Sequence, residues 1–287
     1  MTGSKQVKTA VIAAAGSATR MWPASKVMPK ELFPLGKLPA IAHVVSEFVE
    51  AGLSRIILVV AEQNMGLMKG LFDPSVRPPE KMADDPVVRH FESLMERAEL
   101  EMIPQWGNYG NAMPLVLAAD LVGDEPCVYA FGDDIVFGEN AARNLLGIYR
   151  QTRCPVMAAQ EVEPARKSAY GIAETYVERG IHYIRRIIEK PAPGVTDSNL
   201  ATFGRYLVTP DLMRQLRETP PGKDGEIWFV DGVIREMAAG GRVCVSPLTT
   251  GVWYTVGDPK NYADAVKAAT ESESSPARQP VLARRRA

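Results

Sequence analysis

Residues 7–61 read as strand, loop, helix and strand, and that order restricts the fold more than any other feature of the chain. Residues 7–14 (VKTAVIAA) and 55–61 (RIILVVA) are β-branched and apolar without clean alternation, so both predict strands buried on two faces. Between them Ile41, Val44, Val45, Phe48 and Val49 recur at helical spacing over 39–51, and Gly52 stops the helix. Such a unit predicts an α/β fold whose mainly parallel sheet carries helices on both faces. The 287 residues suffice for one large domain or two small ones.

Further along, 127–131 (CVYAF) predicts a buried strand, 156–161 a strand, and 100–104 a short one. Residues 112–121 and 140–152 predict helices, and 66–100 a helical excursion broken at Pro78-Pro79. After about residue 165 the texture changes: 171–176, 183–189 and 203–208 alternate as antiparallel strands do. Residues 210–218, 231–239 and 261–271 predict helices, and 243–247 and 252–256 short strands. The polar segment 272–287, with Arg284, Arg285 and Arg286, reads as a disordered tail.

Composition removes several classes of function. The net charge is −1, so no strong overall field draws the chain to nucleic acid or to a membrane surface. Cys127, Cys154 and Cys244 are odd in number and widely spaced, which argues against a disulfide framework. His43, His90 and His182 form no HxxxH pair, which argues against a zinc hydrolase. No apolar run approaches the ~18 residues of a spanning helix. The basic-then-apolar start, with Lys5 and Lys8 before 10–15, is short for a secretion signal and suits a first strand. The expectation is a soluble cytoplasmic protein.

Three segments converge on phosphate handling. The first strand runs into Ala14-Ala15-Gly16-Ser17-Ala18-Thr19-Arg20, then 26–31 (KVMPKE). Small residues let backbone N–H groups approach an anion, and Arg20 and Lys30 supply charge. Neither G-x-G-x-x-G nor G-x-x-x-x-G-K-[ST] is present, so neither a dinucleotide fold nor a P-loop is supported. Asp133-Asp134 follows the strand 127–131, where open α/β sheets bind ligands, and a carboxylate there suits Mg²⁺. Glu189-Lys190-Pro191 closes another apolar strand, offering a cation to phosphate and a carboxylate to hydroxyls. Alone, the acidic pair reads as a turn and the third segment as a strand-end ion pair.

Together these residues resemble the bacterial UTP–glucose-1-phosphate uridylyltransferases, within the wider sugar-1-phosphate nucleotidylyltransferase family. The resemblance runs from about residue 7 to 269. It adds 123–126 (GDEP), Tyr170-Gly171, Gly204-Arg205-Tyr206, Gly225-Glu226-Ile227 with Asp231, and Trp253-Tyr254. It implies a Rossmann-like nucleotidyltransferase core with a mixed sheet and a smaller antiparallel sugar-binding part. Residues 1–271 would form one domain, with nucleotide bound by about 7–165 and sugar by about 166–260. A sugar 1-phosphate oxygen would attack the α-phosphorus of a nucleoside triphosphate and release pyrophosphate, with Mg²⁺ bridging phosphate oxygens. UTP and glucose 1-phosphate are the default pair, and a dimer or tetramer is expected.

By the same resemblance Ala14, Ala15 and Gly16 would hold the base through backbone groups. Gln105 and Gly110 would complete that pocket, with Glu31 on the nucleotide side. Arg20, Lys30 and Lys190 would be catalytic, the first two on the triphosphate and the third on the sugar phosphate. Asp133 would hold the metal, and Gly171, Glu189, Asn199 and Glu226 would line the sugar pocket. Four departures stand out. Ala18 replaces a glycine of the first loop, and 108–112 reads NYGNA where the family has GLGHA. Trp228 and Val230 replace polar residues, and Thr255 replaces an acidic metal ligand. They leave open another sugar 1-phosphate or dTTP, or a catalytically weak paralogue that binds nucleotide sugar and regulates a partner.

Overall fold

A computed structural model describes residues 6–107, 109–222 and 225–274. Asn108 and residues 275–287 of the expected tail lie outside them. The strands are β1 Thr9–Ala14, β2 Pro34–Leu35, β3 Leu38–Pro39, β4 Arg55–Ala61, β5 Glu99–Gln105, β6 Cys127–Phe131 and β7 Asp134–Phe137. They continue with β8 Val156–Glu161, β9 Gly171–Glu178, β10 Ile181–Glu189, β11 Leu200–Val208, β12 Cys244–Pro247 and β13 Val252–Thr255. The helices are α1 Ala40–Glu50, α2 Met65–Phe72, α3 Pro86–Met95, α4 Met113–Leu117 and α5 Ala119–Val122. After them come α6 Ala141–Thr152, α7 Pro210–Arg217, α8 Phe229–Ala238 and α9 Pro259–Ser274.

Among the described residues nine strands form one sheet in the order β5-β4-β1-β6-β11-β8-β12-β10-β9. The strands β5, β4, β1 and β6 are mutually parallel. Antiparallel β11 lies between β6 and β8, so the antiparallel half continues the same sheet. Alternate residues of β1 feed opposite faces. Ala10, Ile12 and Ala14 pack with α1 and α6, and Val11 packs with α4, α7 and α8. Both faces are covered, which is why these strands read as continuous apolar runs.

The expected helix over 112–121 is two short ones, because α4 ends at Leu117 and α5 starts afresh at Ala119. The final helix reaches Ser274, so 272–274 are helical rather than tail. The strand β7 was not expected. It pairs antiparallel with β13 and sets Thr255 opposite Asp134.

One buried ion pair ties these layers together. Arg205 on β11 is fully buried and bonds both carboxylate oxygens of Glu47 on α1, at 3.0–3.3 Å. It also donates to the carbonyls of Gly204 (2.8 Å), Phe131 (3.3 Å) and Asp134 (2.7 Å). Glu47 in turn accepts the Ala142 N–H at 2.9 Å, at the start of α6. The Arg205 guanidinium therefore bonds carbonyls on both sides of the turn between β6 and β7, which carries Asp133.

Candidate active site

The carboxyl ends of β1 and β6 open into a cleft. After β1 the chain makes short helical turns at Thr19–Met21, Ala24–Lys26 and Lys30–Leu32, which return Lys30 and Glu31 to the sheet. Ala18 stands in the left-handed region at φ 48°, so this turn keeps its glycine-like geometry at some cost in strain. Lys30 Nζ lies 2.6 Å from Asp133 Oδ2, with both side chains largely buried. Burial alone would lower the Lys30 pKa, but Asp133, Glu31 and Asp134 outweigh it and hold the ammonium above its ordinary range. Burial pushes the Glu31 carboxyl up to about 7, against the pull of Lys30.

The two adjacent aspartates have different tasks. Asp134 is buried, and its Oδ2 accepts the Gly204 N–H at 2.8 Å. Burial and the neighbouring Asp133 push its carboxyl up to about 6. It anchors the turn. Asp133 faces the cleft. An added Cβ at Gly257 would sit 3.2 Å from Asp133 Oδ2, 3.3 Å from Arg20 Nη2 and 3.4 Å from Thr255 Oγ1. Those three groups therefore surround one point. Asp258, 4.0 Å from Arg20, accepts the Asn261 N–H at 3.0 Å at the start of α9.

The cleft consists of two adjoining hollows, of about 500 and 350 Å³, which share Asn111, Phe131, Asp133 and Trp228. The smaller is lined by Ala15, Gly16, Lys30, Glu31, Gln105 and Gly110, among others. The larger is lined by Arg20, Gly171, Glu189, Lys190 and Thr202, with Phe203, Tyr206, Trp228, Val230 and Trp253 forming an aromatic and apolar wall. Burial raises the pKa of Glu189 there, against the pull of Lys190. A hollow of about 570 Å³ between α2 and α3 is lined mainly by apolar residues such as Phe72 and Phe91, and holds none of these groups.

Most residues expected from the sequence thus converge on the cleft, with three shifts. Ala14 packs into the core and Ala13 lines the hollow instead. Glu226, expected beside the sugar, lines the smaller hollow. Asn199 lines neither. Thr202 is the residue opposite Gly171, and Asn199 lies three positions before it, roughly 10 Å away, just ahead of β11. The sequence reading missed Arg166, Thr202 and Asn261. Arg166 Nη2 donates to Tyr170 Oη at 2.7 Å and Asn261 Oδ1 at 3.1 Å, joining elements 95 residues apart. Its place beside the Tyr170-Gly171 motif was the available signal.

Gly110 shows how tightly the smaller hollow is built. It has φ 118°, and a Cβ there would lie 2.2 Å from the Ile227 carbonyl oxygen. The flanking backbone is bridged to the same residue, from Ile227 N–H to Tyr109 O (2.9 Å) and from Ala112 N–H to Ile227 O (3.1 Å). Asn111, where the resembled family has histidine, accepts the Phe229 N–H at 2.7 Å and so fixes the start of α8.

Residues 9–272 match the nucleotidyl transferase family model. The chain belongs to that family. It is 32% identical over 241 residues to the UTP–glucose-1-phosphate uridylyltransferase of Pseudomonas aeruginosa, covering 82% of this chain and 86% of that one. It is 33% identical over 233 residues to the Bacillus subtilis enzyme of the same name, covering 80% of each chain. A solved UDP-glucose pyrophosphorylase complexed with UDP-glucose superposes with a TM-score of 0.82 at 28% identity, covering 92% of this chain and 99% of that one. Among the described residues of this transferase no helix is long and apolar enough to cross a membrane.

Proposed function

We propose that this transferase moves a uridylyl group from UTP to glucose 1-phosphate in the cytoplasm. The observation that carries the reading is the Lys30–Asp133 pair at the junction of the two hollows. It puts a fixed cation and a carboxylate where the smaller hollow, read as the nucleotide side and lined mainly by residues before 165, meets the larger, read as the sugar side and lined mainly by residues after 165. The names of the relatives supply the two substrates.

A phosphate oxygen of glucose 1-phosphate forms the new P–O bond at the α-phosphorus. The bond from that phosphorus to the β-phosphate bridging oxygen breaks, and pyrophosphate leaves with the electron pair. The protein's task is positioning and charge. Lys30 holds an ammonium beside the α-phosphate, and Arg20 steadies the departing pyrophosphate. Ala15, Gly16, Gln105 and Gly110 frame the base, while Gly171 and Glu189 frame the sugar.

Mg²⁺ suits the oxygen donors at this site. Asp133 supplies one carboxylate, and Thr255 a hydroxyl beside it. No cluster of three or more acidic, histidine or cysteine ligands occurs among the described residues. Such a site suits an ion that keeps several waters and takes other ligands from substrate phosphates. When bound, Mg²⁺ neutralises phosphate charge.

A second reading keeps the reaction and changes the sugar, and the presence of Trp228 and Val230 in the larger hollow favours it. A panel of sugar 1-phosphates against UTP and dTTP, followed by pyrophosphate release, separates the two. Highest kcat/KM for UTP with glucose 1-phosphate supports the first reading. A ranking led by another sugar supports the second, and no release with any pair overturns both.

A further inference from the structure

Lys190 is held differently from Lys30, the other lysine assigned to phosphate in the cleft. Lys30 is locked against Asp133 at 2.6 Å. The Lys190 ammonium is 4.0 Å from Glu189 Oε1, the outer limit of an ion pair, and half its side chain is exposed. It lies instead over the indole of Trp228, 4.6 Å from the ring centroid. The backbone beneath it is strained. Lys190 has φ 45°, in the left-handed region that residues with a Cβ avoid, and its N–H is tied to the Tyr170 carbonyl at 3.0 Å. Strain retained at a cleft residue points to a task for that residue.

Trp228 is itself well placed. It lines both hollows and immediately precedes α8. Its neighbours are fixed, Ile227 by the backbone bridges to Tyr109 and Ala112, and Phe229 by its bond to Asn111. The backbone that carries the ring is therefore fixed at the junction of the cleft.

We propose that Trp228 is a positioning residue that holds the Lys190 ammonium ready for the phosphate of the sugar substrate. This rests on reading the larger hollow as the sugar-phosphate side. The face of an indole attracts a cation through its quadrupole and leaves the cation's charge intact. Glu189, at 4.0 Å, makes only a long contact that an incoming phosphate can outcompete, and the neutral ring does not compete with phosphate at all, so the ammonium is held in place and still available. Strained backbone and aromatic face together keep a flexible side chain in one region of the cleft, which lowers the ordering cost of binding.

The test is a double-mutant cycle with Trp228→Gln, Lys190→Met and the double variant, joined by Trp228→Phe. Circular dichroism checks folding, calorimetry with glucose 1-phosphate gives affinity, and steady-state rates separate KM from kcat. Trp228→Gln is expected to weaken glucose 1-phosphate binding roughly 3- to 10-fold, the span of cation–π attraction at part-exposed sites. In the Lys190→Met background the same change is expected to cost less than about twofold, because the partner is gone. Trp228→Phe, which keeps a ring face, is expected to recover most of the loss. Independent, multiplying losses, or a Trp228→Phe variant as weak as Trp228→Gln, would overturn the proposal while leaving the uridylyltransferase reading intact. A wild type that binds none of the sugar 1-phosphates overturns both.

Discussion

Arg205→Met tests whether the catalytic turn is held by the buried ion pair. Arg205 is fully buried, and the substitution removes the partner of the Glu47 carboxylate, itself 8% exposed. It also takes a donor from the carbonyls of Phe131, Gly204 and Asp134. Removing one member of a buried pair costs about 3–5 kcal/mol, because the other charge stays buried and uncompensated. Against a typical total stability of about 5–15 kcal/mol, that is a large fraction. At about 2–4 °C per kcal/mol for chains of this size, the melting temperature should fall roughly 6–20 °C. Urea unfolding followed by circular dichroism gives the free energy, and an unchanged slope shows that the unfolded state is the same. Glu47→Leu in the Arg205→Met background removes the stranded charge, so the pair should be more stable than Arg205→Met alone. A loss below about 1 kcal/mol for Arg205→Met, or strictly additive losses in the double variant, would refute the account. Below the melting temperature Arg205→Met should also lower kcat, since Asp133 sits on the turn that loses its support.

Other substitutions probe single features of the site. Gly110→Ala should abolish measurable UTP binding by calorimetry, because a Cβ would lie 2.2 Å from the Ile227 carbonyl oxygen at a φ of 118°. Asp133→Asn should nearly abolish turnover, while Thr255→Asp should lower the Mg²⁺ concentration for half-maximal rate; full wild-type activity in EDTA would remove the metal from the mechanism. Glu31, with its carboxyl pushed up to about 7, binds a proton in the folded state that the unfolded chain has already released above its ordinary value of 4.5. Its contribution to stability is therefore present below that value and lost as pH rises to about 7, where it levels off. Glu31→Gln should flatten that part of the stability profile, so urea midpoints at pH 5 and pH 8 should lie closer together than in wild type.

The parts of the fold visible in the sequence are those buried on both faces. The strands β4, β6 and β8 lie where the sequence places them, because the apolar residues at their centres are buried in the core. The same logic located Asp133, since a carboxylate just past such a strand has only the open end of the sheet to face. Short pieces whose pairing partner lies far along the chain were illegible. β7 has four residues and depends on β13, more than a hundred residues later, for its pairing. Residues 204–206 were visible as a motif, but not that Arg205 would be buried against Glu47, 158 residues away. Asn199 was carried onto the sugar pocket by resemblance, and the register of β11 against β9 gives that place to Thr202. The pairing of Lys190 with Trp228 depends on a backbone conformation that periodicity does not reveal.

The most direct test of the account is a paired measurement on purified wild type and Lys30→Ala with UTP, glucose 1-phosphate and Mg²⁺, counting pyrophosphate and UDP-glucose in the same reaction. Wild type should release one pyrophosphate for each UDP-glucose formed. Lys30→Ala should remain folded and fall about 10²–10³-fold in kcat, as when a preorganised charge or donor is removed. Bound substrates with no pyrophosphate released by wild type, or a Lys30→Ala enzyme of near-full kcat, would contradict it.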